Sequence, residues 1–354
     1  ATGNVLISFK NSSESSYGNE QSYNSNISGQ IMKKYTEALN YLLGTQKHKL
    51  VLDDMTIVFW AMNPEETCED LLLAMFCGQS EQMDAEQTNQ MLKSLLEDAR
   101  RGRIVTDRLR PVDRIQPDVD FYMAGLRPNS SRLAVKFIYQ RKYADILWNI
   151  ARCQEELRVS ENIRPVSLAR IKAELLSPKS RHDAVNPALL AKIFEAFVYG
   201  SRYPEALLET VIRRIKTDTD MRINEVRAGI IKACINRNHK KEELKVALDQ
   251  ENHTPAYLCG RLFAVLEKLQ QEASGNSLNR TIKDAYFASA SSRPAIVFPK
   301  LLKLAQNHLN KSNYPGFYNK LIGEITWHLE GEFPETLLLT DQGRFIIGYY
   351  QQYQ

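Results

Sequence analysis

The chain holds 354 residues, 43% of them hydrophobic and 25% charged, with 46 Lys and Arg against 42 Asp and Glu. Such an apolar share builds one large or two ordinary globular cores and excludes a disordered chain. The longest apolar runs, such as Ile57 to Met62, fall well short of the ~18 residues that cross a bilayer, so a soluble, cytoplasmic protein with no membrane partner is expected.

In chain order, Asn4 to Lys10 reads as a strand, and Asn11 to Asn26 as a polar Ser/Asn/Gly/Tyr loop. The opening Ala1-Thr2-Gly3, without Met, suggests a piece of a longer protein. A helix capped near Ser28 follows, with Ile31, Tyr35, Leu39, Leu42 and Leu43 on one face and Gly44 as its stop. Leu50 to Leu52 and Thr56 to Ala61 predict a hairpin around Asp53-Asp54, and Asn63-Pro64-Glu65-Glu66 predicts a helix start. Phe121 to Arg127 and Arg132 to Tyr139 predict a second hairpin across Pro128 to Ser131. Its second strand sets Leu133, Val135, Phe137 and Tyr139 against Arg132 and Lys136, with Ala134 and Ile138 fitting the alternation less cleanly.

From Tyr143 onward the signals are almost wholly helical, with breaks at Pro165, Pro178, Pro187, Pro204, Pro255, Pro294, Pro315 and Pro334. No fixed period recurs, which argues against a solenoid. One helix aligns Leu258, Leu262, Val265, Leu266 and Leu269 toward the core, with Arg261, Glu267, Lys268 and Gln271 expected to point away. The next long helix is expected to bury Val297, Leu301, Leu304, Ala305 and Leu309 and to align Lys300, Lys303, Asn307 and Lys311 as a basic stripe. The fold class is therefore α+β: a mixed α/β part over residues 1–142 with hairpins, a helical middle region over 143–220, and a C-terminal helical bundle over 221–354.

Charge is unevenly spread along this plan. Residues 1–126 sum to −6, 127–182 to +7, 183–220 to −1 and 221–354 to +4. A basic zone opening at Arg127 on a nearly neutral chain suggests a polyanion such as nucleic acid, although solvated surface produces the same pattern. Tyr17 and Tyr23, with Asn19 and Gln21 in the polar loop, suit stacking and phosphate contacts, though such loops are as often unoccupied.

Catalytic signatures are missing from the sequence. It has no phosphate loop, no dinucleotide fingerprint, no H-E-x-x-H and no G-x-S-x-G. The five cysteines (Cys68, Cys77, Cys153, Cys234 and Cys259) form no C-x-x-C pair, so reduced, buried thiols are expected rather than disulfides or a zinc site. His182-Asp183 has the dipeptide of HD-type phosphohydrolases, but it precedes the helix start Asn186-Pro187 and the other histidines occur singly. A surface turn is the favoured reading there. Neither cofactor, metal nor enzyme activity is expected.

Several segments together resemble the large subunit of the type I-C CRISPR Cascade, a surveillance complex that carries a guide RNA and captures matching DNA. They are Ser16-Tyr17-Gly18-Asn19-Glu20-Gln21 with Asn24 and Ser28, Thr56 to Ala61, Phe121 to Arg127 with Arg132 to Val135, and Tyr257 to Lys268. Thr281-Ile282-Lys283-Asp284 with Tyr286-Phe287, Val297 to Leu302, and Asp341 to Phe345 with Gly348-Tyr349-Tyr350 complete the set, nearly spanning the chain. The resemblance implies that an N-terminal portion recognising the protospacer-adjacent motif is missing. It implies as partners the guide RNA, target DNA, the Cascade backbone and small subunits, and a recruited helicase-nuclease that does the cleaving.

Ala285 stands where the family commonly has Arg, so Arg280 or Lys283 would have to supply any phosphate contact there. Tyr17, Asn19, Gln21, Arg127, Arg132, Lys136, Arg261, Arg280, Lys283, Lys300, Lys303 and Lys311 are the expected nucleic-acid contacts. The resemblance also implies a small subunit made by internal translation, for which Met221 is the candidate start, with Val226 and Leu244 as alternative start codons; a cut at Met221 is expected to spare the packed faces of the two long helices described above. Two other readings stay open, a helical protein–protein adaptor and an HD-type phosphohydrolase.

Overall fold

A computed structural model describes residues 18–19, 23, 27–62, 69, 72–73, 76, 119–129, 132–160, 165–177, 185–218, 223–239, 244–275 and 280–354. The expected strand Asn4 to Lys10, Tyr17, Gln21, the helix start at Asn63, Pro178, His182-Asp183 and Met221 lie outside these residues. The chain divides into two compact units, one drawn from 1–152, 167–169 and 184–199, the other from 153–166, 170–183 and 200–354. The architecture is α+β, with an N-terminal antiparallel sheet and a helical C-terminal part.

In the first unit, helix α1 (Gly29–Gly44) begins where Ser28 Oγ accepts the Ile31 N–H at 3.3 Å, satisfying one of the donors left open at a helix start. Leu39, Leu42 and Leu43 then pack on Val58, Ala124 and Leu126, while Ile31, expected on the same face, is exposed. Strands β1 (Lys49–Leu52), β2 (Met55–Ala61), β3 (Asp120–Asn129) and β4 (Arg132–Lys142) form an antiparallel sheet in the order β1-β2-β3-β4. The β1–β2 turn puts Asp53 at φ 53°, a left-handed conformation that Asp tolerates better than most residues. Its carboxylate accepts the Val185 N–H at 3.0 Å.

The pairing of the second hairpin runs further than expected, through Pro128 with Leu133 and Asn129 with Arg132. Gly125 pairs with Phe137 but Leu126 pairs with Val135, so Lys136 is the extra residue of a β-bulge. Gly125 is required there: a Cβ would lie 2.3 Å from the Phe137 ring, which packs directly on the glycine. The bulge interrupts the expected alternation and leaves Val135 exposed. Helix α2 (Tyr143–Leu157) follows the sheet, then α3 (Leu168–Leu175) and α4 (Pro187–Tyr199).

The second unit contains α5 (Glu205–Thr217), α6 (Glu225–Asn238), α7 (Pro255–Ser274), α8 (Ile282–Ala290), α9 (Pro294–Leu309), α10 (Pro315–Trp327) and α11 (Leu339–Tyr353). Prolines occupy the first residue of α4, α7, α9 and α10, where the lost N–H has no helical acceptor to miss. Pro204 caps α5. Helix α7 is the axis of the unit and is buried from Ala256 to Glu267. Around its Phe263, the rings of Phe287, Phe298, Phe345 and Tyr349 pack edge-on with centroids 5.5 to 6.4 Å away.

The all-round burial of α7 corrects one expectation. Arg261 and Glu267 face inward: Arg261 Nε donates to Gln352 Oε1 at 2.9 Å, and Glu267 accepts the Tyr349 hydroxyl proton at 2.7 Å. Cys153, Cys234 and Cys259 are buried, as expected, and burial pushes the Cys259 thiol up to about 12.

Helix α6 is also rich in buried charge, with Arg227, Lys232 and Arg237 all inside. Arg227 reaches Glu174 at 2.7 Å and Asp218 at 2.9 Å, and Arg237 reaches Glu156 at 2.5 Å. These partners precede position 221. A chain starting at Met221 would keep α7 to α11 and lose the carboxylates that neutralise α6, so the cut does not spare every packed surface.

Lys216 on α5 gives a pH prediction. Its Nζ donates to Ser292 Oγ at 2.7 Å and Gln342 Oε1 at 2.6 Å, and desolvation lowers its pKa to about 8 from 10.5. Because the folded pKa lies below the unfolded one, the folded chain binds fewer protons between these values. This group's contribution to stability therefore rises with pH across that window, and the penalty is full below about pH 8. Lys216→Met removes the penalty and the two hydrogen bonds together. The Tm difference, variant minus wild type, is expected to fall as melts are moved from about pH 7.5 to about 9.5; a constant difference would show that burial does not lower the Lys216 pKa.

Candidate nucleic-acid interface

Helix α9 is the clearest basic face. Its apolar side buries Val297, Phe298, Leu301, Ala305 and Leu309, which turns Lys300, Lys303 and Asn307 outward, all exposed. Lys300 and Asn307 lie about 10 Å apart along the axis at 1.5 Å per residue. Two details differ from expectation. Leu304 is 40% exposed and so borders the lysines instead of joining the core. Lys311 lies beyond the helix end, after the C-cap Asn310, in the turn leading to α10.

That turn is held from below by Glu272 on α7, whose carboxylate accepts the Ser312 hydroxyl proton at 2.5 Å and the Asn313 N–H at 2.9 Å. Ser312 Oγ in turn accepts the Tyr314 N–H at 3.0 Å. The hydrogen bonds hold the Glu272 carboxyl below its ordinary pKa. Partial burial, and then the neighbouring Lys311 charge, lower the pKa of His308 at this end of the stripe.

Elsewhere the expected contacts are dispersed. In the first unit Lys136 is exposed at the bulge, whereas Arg127 is ion-paired with Asp54 across the sheet end. Arg132 opens β4, with its side chain outside the described atoms, and Asn19 is exposed. In the second unit Arg280 is exposed just before α8, which starts with a capping box between Thr281 and Asp284. Lys283 is directed inward instead: its Nζ lies 5.1 Å from the Tyr349 ring centroid, near the buried Glu267 carboxylate that it helps stabilise. Ala285 is exposed, so an Arg at this position would face solvent.

Lys320, Tyr314 and Phe317, in the turn and helix that follow α9, are also exposed and were missed in the sequence. The usable signal was charge: between Asp284 and Glu324 the chain has no acidic residue. His253 and His328, which occur singly in the sequence, stack with ring centroids 3.8 Å apart. Among the described residues no group of three or more His, Cys, Asp or Glu is placed to hold a metal ion.

No curated protein matches the chain. The family model of the CRISPR-associated protein Cas_Csd1 matches residues 1–354. With the helical part and its basic face in place, the chain belongs to the Cas_Csd1 family, the large-subunit family of type I-C CRISPR complexes.

Proposed function

We propose that this CRISPR-associated Cascade subunit works without catalysis, holding nucleic acid by its phosphates while pairing to guide RNA reads the sequence. The observation that carries this reading is the exposed α9 stripe of Lys300 and Lys303 with Lys311 at its end. Lys136 and Arg280 are secondary contacts, whereas the buried Arg261 is left out. Target DNA and guide RNA are the ligands, Cascade backbone and small subunits the neighbours, and a recruited helicase-nuclease does the cutting. The compartment is the cytoplasm; no described helix is long and apolar enough to cross a membrane.

Changing Lys300, Lys303 and Lys311 together to Ala tests it. Affinity of the assembled complex for target DNA is expected to fall roughly 10- to 100-fold near physiological salt, and the salt slope by about one unit per lost contact. Unchanged affinity and slope would mean that the stripe is only solvated surface.

A further inference from the structure

Helix α10 contributes a single buried residue, Ile325, from its 13 residues. At its start Tyr314 and Phe317 are 66% and 64% exposed. Aromatic rings left in water at the edge of a well-formed turn serve neither the core nor the helix, and apolar exposure of this kind marks contact sites.

Their positions are fixed. Glu272 holds Ser312 and Asn313, Ser312 holds the Tyr314 amide, and Phe317 rests edge-on against the half-buried Tyr318 with centroids 5.3 Å apart. The charge around them is one-sided. Lys311 precedes the pair and Lys320 follows it, both exposed, within the acid-free run between Asp284 and Glu324. Glu324 approaches Lys320 at 3.7 Å, but a pair this exposed is screened by water and leaves the lysine available.

We infer that Tyr314 and Phe317, flanked by Lys311 and Lys320, form a stacking site for unpaired bases, so that this edge of the helical unit takes single-stranded nucleic acid. This rests on the reading of the α9 stripe as a phosphate-binding face and adds the form of the ligand. Lysines alone serve duplex and single strand alike. Aromatic faces reach bases only where these are unpaired, and they do so with little regard to sequence. A protein partner docking on α10 would instead use Trp327 as well, which is 80% exposed at the far end of the helix among Glu324, Glu330 and Glu332.

The test measures binding of the full chain to an oligothymidine of about 20 nucleotides and to a blunt duplex of the same length. Tyr314→Ala with Phe317→Ala is expected to weaken oligothymidine binding about tenfold or more while leaving duplex binding and the salt slope unchanged. Tyr314→Phe with Phe317→Tyr should retain binding, and Trp327→Ala should match wild type. Circular dichroism of each variant checks that the fold is kept. Equal loss on both probes, or no loss on either, would overturn the stacking site. So would oligothymidine binding that survives while Phe317→Ala and Trp327→Ala each release a neighbouring subunit from the assembled complex. If the lysine triple variant loses affinity and slope but the aromatic pair changes nothing, the stacking inference alone fails; if the triple variant keeps both, the phosphate-binding reading fails first.

Discussion

Gly260→Ala is expected to destabilise the helical unit by about 3 kcal/mol or more, which corresponds to a Tm lower by roughly 6–12 °C. The cause is a reciprocal close approach of α7 and α11. A Cβ on Gly260 would lie 1.9 Å from the Phe345 carbonyl oxygen, and one on Gly348 would lie 2.2 Å from that of Tyr257. Both obstacles are backbone, so no rotamer change relieves them; the helices must separate. Separation loosens the ring cluster of Phe263, Phe287, Phe345 and Tyr349 between them. Gly348→Ala should act alike, whereas Gly323→Ala on α10, with open space around it, should be neutral or stabilise by up to ~1 kcal/mol through helix propensity. Thermal melts followed by near-ultraviolet circular dichroism make the comparison. If Gly260→Ala melts within about 1 °C of wild type, the tight crossing is wrong.

The parts of this fold that were legible in the sequence are those written locally. Ser28 capping α1, Asp53-Asp54 turning a hairpin and prolines starting α4, α7, α9 and α10 each act through backbone geometry within a few residues. What depends on long-range packing was not legible. Charge at Arg261 and Glu267 reads as a solvent face, yet the surrounding helices bury every side of α7, and Gln352 and Tyr349 supply partners about ninety and eighty residues away. The bulge at Lys136 depends on Phe137 finding Gly125 across the hairpin, which the period-2 pattern of β4 does not encode. In the candidate site, Lys300 and Lys303 were legible because helical spacing alone turns them to one side. Tyr314 and Phe317 were not, because aromatic residues read as core until the packing shows a helix with one buried residue.

Asp218→Ala is the second severe change, expected to cost about 3–5 kcal/mol. Asp218 follows α5 directly, and its Oδ2 lies 2.6 Å from Arg214 and 2.9 Å from Arg227, with all three side chains under a tenth exposed. One carboxylate thus separates two guanidiniums in a region where water screens little. Removing it leaves two like charges facing each other, with Glu174 still 2.7 Å from Arg227 Nε. Asn224 adds to the strain of the loss, because it caps α6 through the Arg227 N–H at 2.8 Å and binds Glu174 at 2.7 Å, so disorder at Arg227 is passed to the helix start. Two further variants separate charge from packing. Asp218→Asn keeps an acceptor but not the charge and should recover only part of the loss, whereas Asp218→Leu with Arg214→Met replaces the pair by apolar groups and should recover most of it. Chemical denaturation of the three variants gives the ranking. If Asp218→Ala is no worse than the double variant, the two guanidiniums are not held apart by this carboxylate and the charge argument fails.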